Sequence, residues 1–148
     1  MVTFISRSPE ETQSLGETWG KAASIGVVIG LTGDLGAGKT QFVKGVALGL
    51  GVKAQVHSPT FALLHEYRDG RLPLFHIDLY RLESPAQIIG AGLEEYFYNP
   101  PGVTVIEWFE RWTAAGPALS ARQTSCRRVT IETLGETERR ITYEYSGA

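Results

Sequence analysis

Glycine, lysine and a hydroxyl fall at the spacing G-x-x-x-x-G-K-[ST] in Gly33-Asp34-Leu35-Gly36-Ala37-Gly38-Lys39-Thr40, the pattern of a loop that cradles phosphate. The chemistry explains the residue types. Glycines let the backbone curl until successive N–H groups face phosphate oxygens, and a helix starting there adds the positive end of its dipole. Lys39 would reach the β- and γ-phosphates, and the Thr40 hydroxyl could ligate Mg²⁺. With 17 glycines among 148 residues, a chain of this composition would match by chance only ~0.01 times, so coincidence is set aside.

Two carboxylates end apolar runs elsewhere in the chain. Asp78 follows Leu74-Phe75-His76-Ile77, and Glu107 closes Val103-Thr104-Val105-Ile106. A P-loop enzyme needs one carboxylate to orient the metal and a group to orient water against the γ-phosphate. Asp78 fits the first role and Glu107 the second. Their ordinary alternatives are a helix-capping or surface aspartate and a salt-bridged glutamate beside Trp108. In Ser58-Pro59-Thr60-Phe61, the Thr60 hydroxyl could meet the metal or γ-phosphate as a nucleotide-sensing turn. His65, His76 and Asp78 have no zinc-ligand spacing. Cys126 is the single cysteine, so the chain has neither an internal disulfide nor a thiol pair.

The elements that must position these residues can be read from hydrophobic period and caps. Residues 2–6 suit a strand, and Ser8-Pro9-Glu10-Glu11 reads as cap, first-turn proline and capping-box glutamate of a helix reaching about Ala23. Ile25 to Leu31 is an apolar run fit for a strand buried on both faces. Phe42, Val43, Val46, Ala47 and Leu50 then recur at helical spacing, with Gly51 at the C-terminal cap. Thr60–Tyr67 and Leu72–Asp78 flank a turn at residues 68–71, and Ser84-Pro85 opens another helix. Residues 103–107 suit a buried strand, residues 108–115 about two turns of helix, and Arg128–Thr133 with Arg140–Tyr145 an antiparallel pair. The expectation is one α/β domain over residues 1–148: a P-loop NTPase-like three-layer sandwich around a mixed, largely parallel sheet.

Composition narrows the class. Hydrophobic residues make up 43%, charged residues 20%, and mean hydropathy is -0.08, as for a globular chain. The net charge of -2 argues against electrostatic binding to nucleic acid or membranes as the main task. No run approaches the roughly 18 apolar residues of a membrane-spanning helix, and residues 1–11 lack the pattern of a secretory signal. A cytoplasmic protein without membrane contact is expected.

Taken in order, GDLGAGKT, SPTF, HIDLYRL, GLEEYF and VIEWFER resemble the bacterial TsaE (YjeE) family of small P-loop ATPases, over about residues 25–112. The resemblance implies Mg²⁺-dependent ATP hydrolysis in support of N6-threonylcarbamoyladenosine synthesis beside the tRNA anticodon. The implied companions are TsaD and TsaB, using the adenylate made by TsaC, with tRNA met indirectly. It puts phosphate contacts on Gly33 to Thr40, magnesium on Thr40 and Asp78, a switch on Thr60, hydrolysis on Glu107 and Lys39, and Trp108 beside the nucleotide. His76, Tyr80 and Arg81 match the family's HxDxYR signature, with supporting or partner-contact roles implied. The chain departs from the family after residue 113, where TAAGPALSARQTSCRR replaces a shorter link.

Rival functions have weaker support. A GTPase would carry Asn-Lys-x-Asp, whereas the single asparagine, Asn99, precedes two prolines. A small-metabolite kinase needs a lid arginine, for which Arg81 and Arg111 are the candidates. A nucleotide-dependent assembly switch remains compatible. No arginine lies in or just after the glycine loop, so a low intrinsic rate raised by partners is expected.

Overall fold

The Ile25–Leu31 run does form a buried strand, but a turn delays its start. Gly26 adopts φ +94° and Val27 N–H donates to Ser24 O at 3.3 Å. The strand therefore occupies Val28–Gly33 in the computed structural model, which describes residues 2–34, 36–59, 62–113 and 126–145. Along the chain lie β1 (Val2–Ser6), α1 (Pro9–Ala22), β2 (Val28–Gly33), α2 (Lys39–Gly49), β3 (Leu64–Tyr67) and β4 (Leu74–Asp78). Then follow α3 (Pro85–Gly90), a 3-10 turn (Glu94–Tyr96), β5 (Val103–Glu107), α4 (Glu110–Thr113), β6 (Cys126–Thr133) and β7 (Arg139–Tyr145).

The seven strands form one sheet in the order β1-β7-β6-β2-β5-β4-β3. Its centre, β6-β2-β5-β4, is parallel, and the antiparallel pairs β1-β7, β6-β7 and β3-β4 lie toward the edges. Side chains alternate between two cores as the pleat requires. Ile29, Leu31, Val103 and Val105 join Trp19, Phe42 and Val46 of α1 and α2 on one face. Val28 and Ile106 join Ile88 of α3 with Phe97, Phe109 and Trp112 on the other. This is the expected three-layer arrangement.

Both Ser-Pro signatures cap helices: Glu11 N–H donates to Ser8 Oγ at 3.1 Å and Gln87 N–H to Ser84 Oγ at 3.3 Å. α1 and α2 pack with their backbones nearly touching. A Cβ on Gly16 or Gly20 would strike the carbonyl of Phe42 or Val46, and one on Gly45 or Gly49 the carbonyl of Gln13 or Glu17. Glycine loses helix propensity at each position, and the close approach requires it.

Three further boundaries differ from expectation for local reasons. Leu63 sits at φ +67°, so β3 starts only at Leu64. β4 begins after Pro73, which has no N–H to give a ladder. Trp108 lies at φ +59° and is not the first residue of a helix; α4 starts at Glu110. Most of the divergent segment 114–128 lies outside the described residues, and β6 takes up the chain at Cys126.

Candidate functional site

The parallel strands bring the chemistry to one edge. β2 ends in the glycine loop, while Asp78 of β4 and Glu107 of β5 stand opposite each other in register. Both carboxylates are buried, at 4% and 3% exposure, so each needs donors. Glu107 accepts from the Thr40 hydroxyl at 3.2 and 3.3 Å and pairs at 2.5 Å with Nε2 of His76, which is fully buried. Asp78 accepts from Ser58 Oγ at 3.0 Å and from Tyr80 N–H at 2.9 Å.

Lys39 lies among these groups. Its ammonium donates to the carbonyls of Gly33 at 2.5 Å and Asp34 at 2.8 Å, and lies 4.1 Å from the centre of the Trp108 ring. Burial lowers its pKa from the ordinary lysine value, and Glu107, Glu110, Asp78 and Asp34 partly oppose the shift. The result is a partly desolvated cation held by neutral carbonyls and an aromatic face, suited to accepting an anion.

The glycine loop curls through left-handed backbone at Gly36 and Gly38. Gly36 and Gly38 take φ +78° and +101° although an added Cβ would meet nothing within 4 Å, so conformation rather than space requires glycine there. Gly33 is required by space, because a Cβ would press on Ile131 O at 2.5 Å. Gly38 caps α2 without a side-chain acceptor, so the orphan N–H groups of the first turn are not engaged by a cap side chain. Gly36, Lys39, Thr40, Asp78, Glu107 and Trp108 all line one cavity of about 310 Å³.

Trp108 reaches this cavity through backbone strain. A left-handed tryptophan costs about 1–2 kcal/mol, and its neighbour holds it there. Phe109 N–H donates to Leu31 O at 3.0 Å, and the Phe109 ring fills the space above Gly30 that a side chain would occupy. Tyr80, 43% exposed, packs on Trp108 at 5.0 Å between ring centres and forms the rim.

The structure thus brings together Gly33, Gly36, Gly38, Lys39, Thr40, Asp78, Glu107 and Trp108, with His76 behind Glu107. Asp34 contributes its carbonyl and Ala37 is fully buried in the core. Leu35 and Thr60 lie outside the described residues. Arg81 is exposed, and Arg111 lies 5.8 Å from the Trp108 ring. Sequence reasoning missed Ser58 as the partner of Asp78, although it had marked that turn, and missed Arg139, which donates to Ala37 O at 3.0 Å. Cys126 is an inert core residue: burial raises its thiol pKa to about 11. Among the described residues no group of three or more His, Cys, Asp or Glu side chains could hold a metal by itself, and no helix is long and apolar enough to cross a membrane.

A protein-family model described as threonylcarbamoyl adenosine biosynthesis protein TsaE matches residues 6–141. A tRNA threonylcarbamoyladenosine biosynthesis protein TsaE from Bacillus subtilis is 42% identical over 140 residues, covering 95% of this chain and 83% of that protein. The Treponema pallidum protein of the same name is 41% identical over 138 residues, covering 93% and 96%. The crystal structure of Bacillus subtilis YdiB superposes with a TM-score of 0.77 at 34% identity, covering 99% of this chain and 86% of that one. The chain therefore belongs to the TsaE family, which acts in tRNA threonylcarbamoyladenosine biosynthesis.

Proposed function

We propose that the chain is a Mg²⁺-dependent ATPase that supports this tRNA modification together with TsaD and TsaB, in the cytoplasm and without touching tRNA directly. The observation that carries the reading is Lys39, a desolvated ammonium centred between the glycine loop and two buried carboxylates. The cavity suits the ligand chemistry. Mg²⁺ is commonly held by one or two protein oxygens plus substrate phosphates, which fits a site offering the Thr40 hydroxyl and Asp78 but no self-sufficient metal cluster.

The chain's own groups divide the work. Gly36 to Thr40 bind and orient the phosphates, Lys39 neutralises their charge, and Trp108 shields the lysine from water. Glu107 orients the attacking water and takes up its proton, with its position set by His76. Mg²⁺, when bound by Thr40 and Asp78, supplies further positive charge to the phosphates. Asp78→Asn is expected to raise the Mg²⁺ concentration for half-maximal turnover on the order of tenfold. A Mg²⁺ titration superimposable on wild type would remove Asp78 from the metal site.

A second reading, a nucleotide-dependent assembly switch, draws support from Tyr80, which is exposed at the cavity mouth and packs on the half-buried Trp108. Trp108 fluorescence tests nucleotide binding directly, since Trp19 and Trp112 are buried in the two cores. MgATP should change the emission at lower concentration than MgGTP, and an equal response to both would contradict an adenine-specific site.

A further inference from the structure

Arg139, at the start of β7, extends across the sheet edge to a loop 102 residues away in sequence. Its Nε donates to Ala37 O at 3.0 Å and its Nη2 to Gly36 O at 3.3 Å. Its Nη1 donates to the carbonyls of Gly135 and Glu138, each at 2.9 Å, in the turn between β6 and β7. Among the described residues no carboxylate pairs with this guanidinium; all its hydrogen bonds go to backbone carbonyls. One planar fork therefore ties the β6–β7 turn to the glycine loop.

We propose that Arg139 is a positioning residue of the phosphate loop, which sets the direction of its amides from outside. A trans peptide is planar, with the C=O of one residue opposed to the N–H of the next. Holding Ala37 O toward Arg139 turns the Gly38 N–H to the opposite side, and Gly38 lines the cavity. The φ of +78° at Gly36 and +101° at Gly38 leaves this stretch of backbone with little intrinsic preference. The Gly36–Ala37 peptide is also held by the Ala37 N–H on Asp34 O at 3.0 Å, so loss of Arg139 would chiefly free the Ala37–Gly38 peptide to rotate. The guanidinium also adds a positive charge on the side of the loop away from the cavity. Lysine would supply the charge but not the fork, since an ammonium cannot present separate planar donors to two loops. The inference rests on the reading of this cavity as a phosphate site, and it makes the β6–β7 turn part of that site.

The test compares wild type with Arg139→Met, Arg139→Lys, Arg140→Met and Lys39→Ala. It measures MgADP binding by calorimetry, steady-state ATP turnover, thermal melting, and amide hydrogen exchange over residues 36–40 without nucleotide. Arg140, whose contact is an exposed pair with Glu132 at 3.4 Å, is the control for charge. Arg139→Met should weaken MgADP and raise KM for ATP about tenfold, the effect of losing one or two charge-assisted hydrogen bonds, with kcat changed by less than about threefold. Arg139→Lys should recover only part of the affinity. Exchange at residues 36–40 should quicken in both variants, and Arg140→Met should match wild type. The proposal is overturned if Arg139→Met binds MgADP within about twofold of wild type with unchanged exchange, or if kcat and KM worsen together with lost melting stability. If wild type itself ignores MgADP, the phosphate reading fails, and faster exchange at residues 36–40 would still uphold Arg139 as the anchor of the loop. If Lys39→Ala abolishes binding while Arg139→Met does not weaken it, the inference fails alone.

Discussion

Lys39→Ala should abolish measurable MgATP turnover, a loss on the order of 10²-fold or more, while the protein melts no earlier than wild type. The two halves have the same cause. The ammonium lies where phosphate charge would be neutralised, yet in the nucleotide-free fold it is held by two carbonyls and a ring rather than by an ion pair. Its folded pKa lies below the ordinary lysine value through burial, so folding disfavours the protonated form. A depressed cation costs stability at pH below its folded pKa, and this cost disappears as pH rises toward the unfolded value. Removing Lys39 at neutral pH therefore removes a cost together with the function. Thermal melting and phosphate release measured on the same samples check both parts, and wild-type turnover would refute the role of the loop.

Glu107→Gln should lower kcat by about 10²-fold while leaving nucleotide affinity within about threefold of wild type, the pattern of a group needed in the transition state rather than for binding. The amide keeps an oxygen for the Thr40 hydroxyl but places an NH₂ group where a carboxylate oxygen now pairs with His76 Nε2. Among the described residues His76 Nδ1 has no hydrogen-bond partner, so the ring can hold its proton there and accept from the new amide at Nε2, at the cost of one buried N–H without an acceptor. The fold should survive, and the measurement reports on chemistry. Equal losses in binding and turnover would return Glu107 to a structural role.

What could be read in advance was local. The glycine loop is eight contiguous residues, each cap is a Ser-Pro step followed by its own helix, and Val103–Glu107 is apolar enough to lie in the sheet's interior. These signals need no knowledge of the rest of the chain. The features that escaped depend on distant partners. Trp108 is left-handed because Phe109 is tied to Leu31 and stacked on Gly30, and nothing about a tryptophan announces that. Gly16 and Gly20 read alone as weak points in a helix, and only their opposition to Gly45 and Gly49 explains them. Arg139 falls just before the strand expected at Arg140–Tyr145 and carries no local signal, because its target is 102 positions away. The placement of Asp78 and Glu107 side by side at strand ends was legible, but their hydrogen-bond donors were not, since Ser58 and His76 arrive from a loop and from a neighbouring strand.

As a P-loop ATPase of the proposed kind, this chain should turn over ATP slowly by itself and faster in the company of TsaD and TsaB. No arginine lies in or just after the glycine loop in the sequence, and Arg139 grips the loop by its carbonyls from outside. A partner supplying the missing charge in P-loop enzymes can be worth about 10³–10⁵ in rate. The most direct measurement is phosphate release from MgATP by the purified chain, alone and mixed with TsaD and TsaB. Slow turnover alone and at least about tenfold acceleration in the mixture are expected. Turnover near a typical enzyme rate of ~10 per second by the isolated chain, unaltered by those partners, would contradict this expectation.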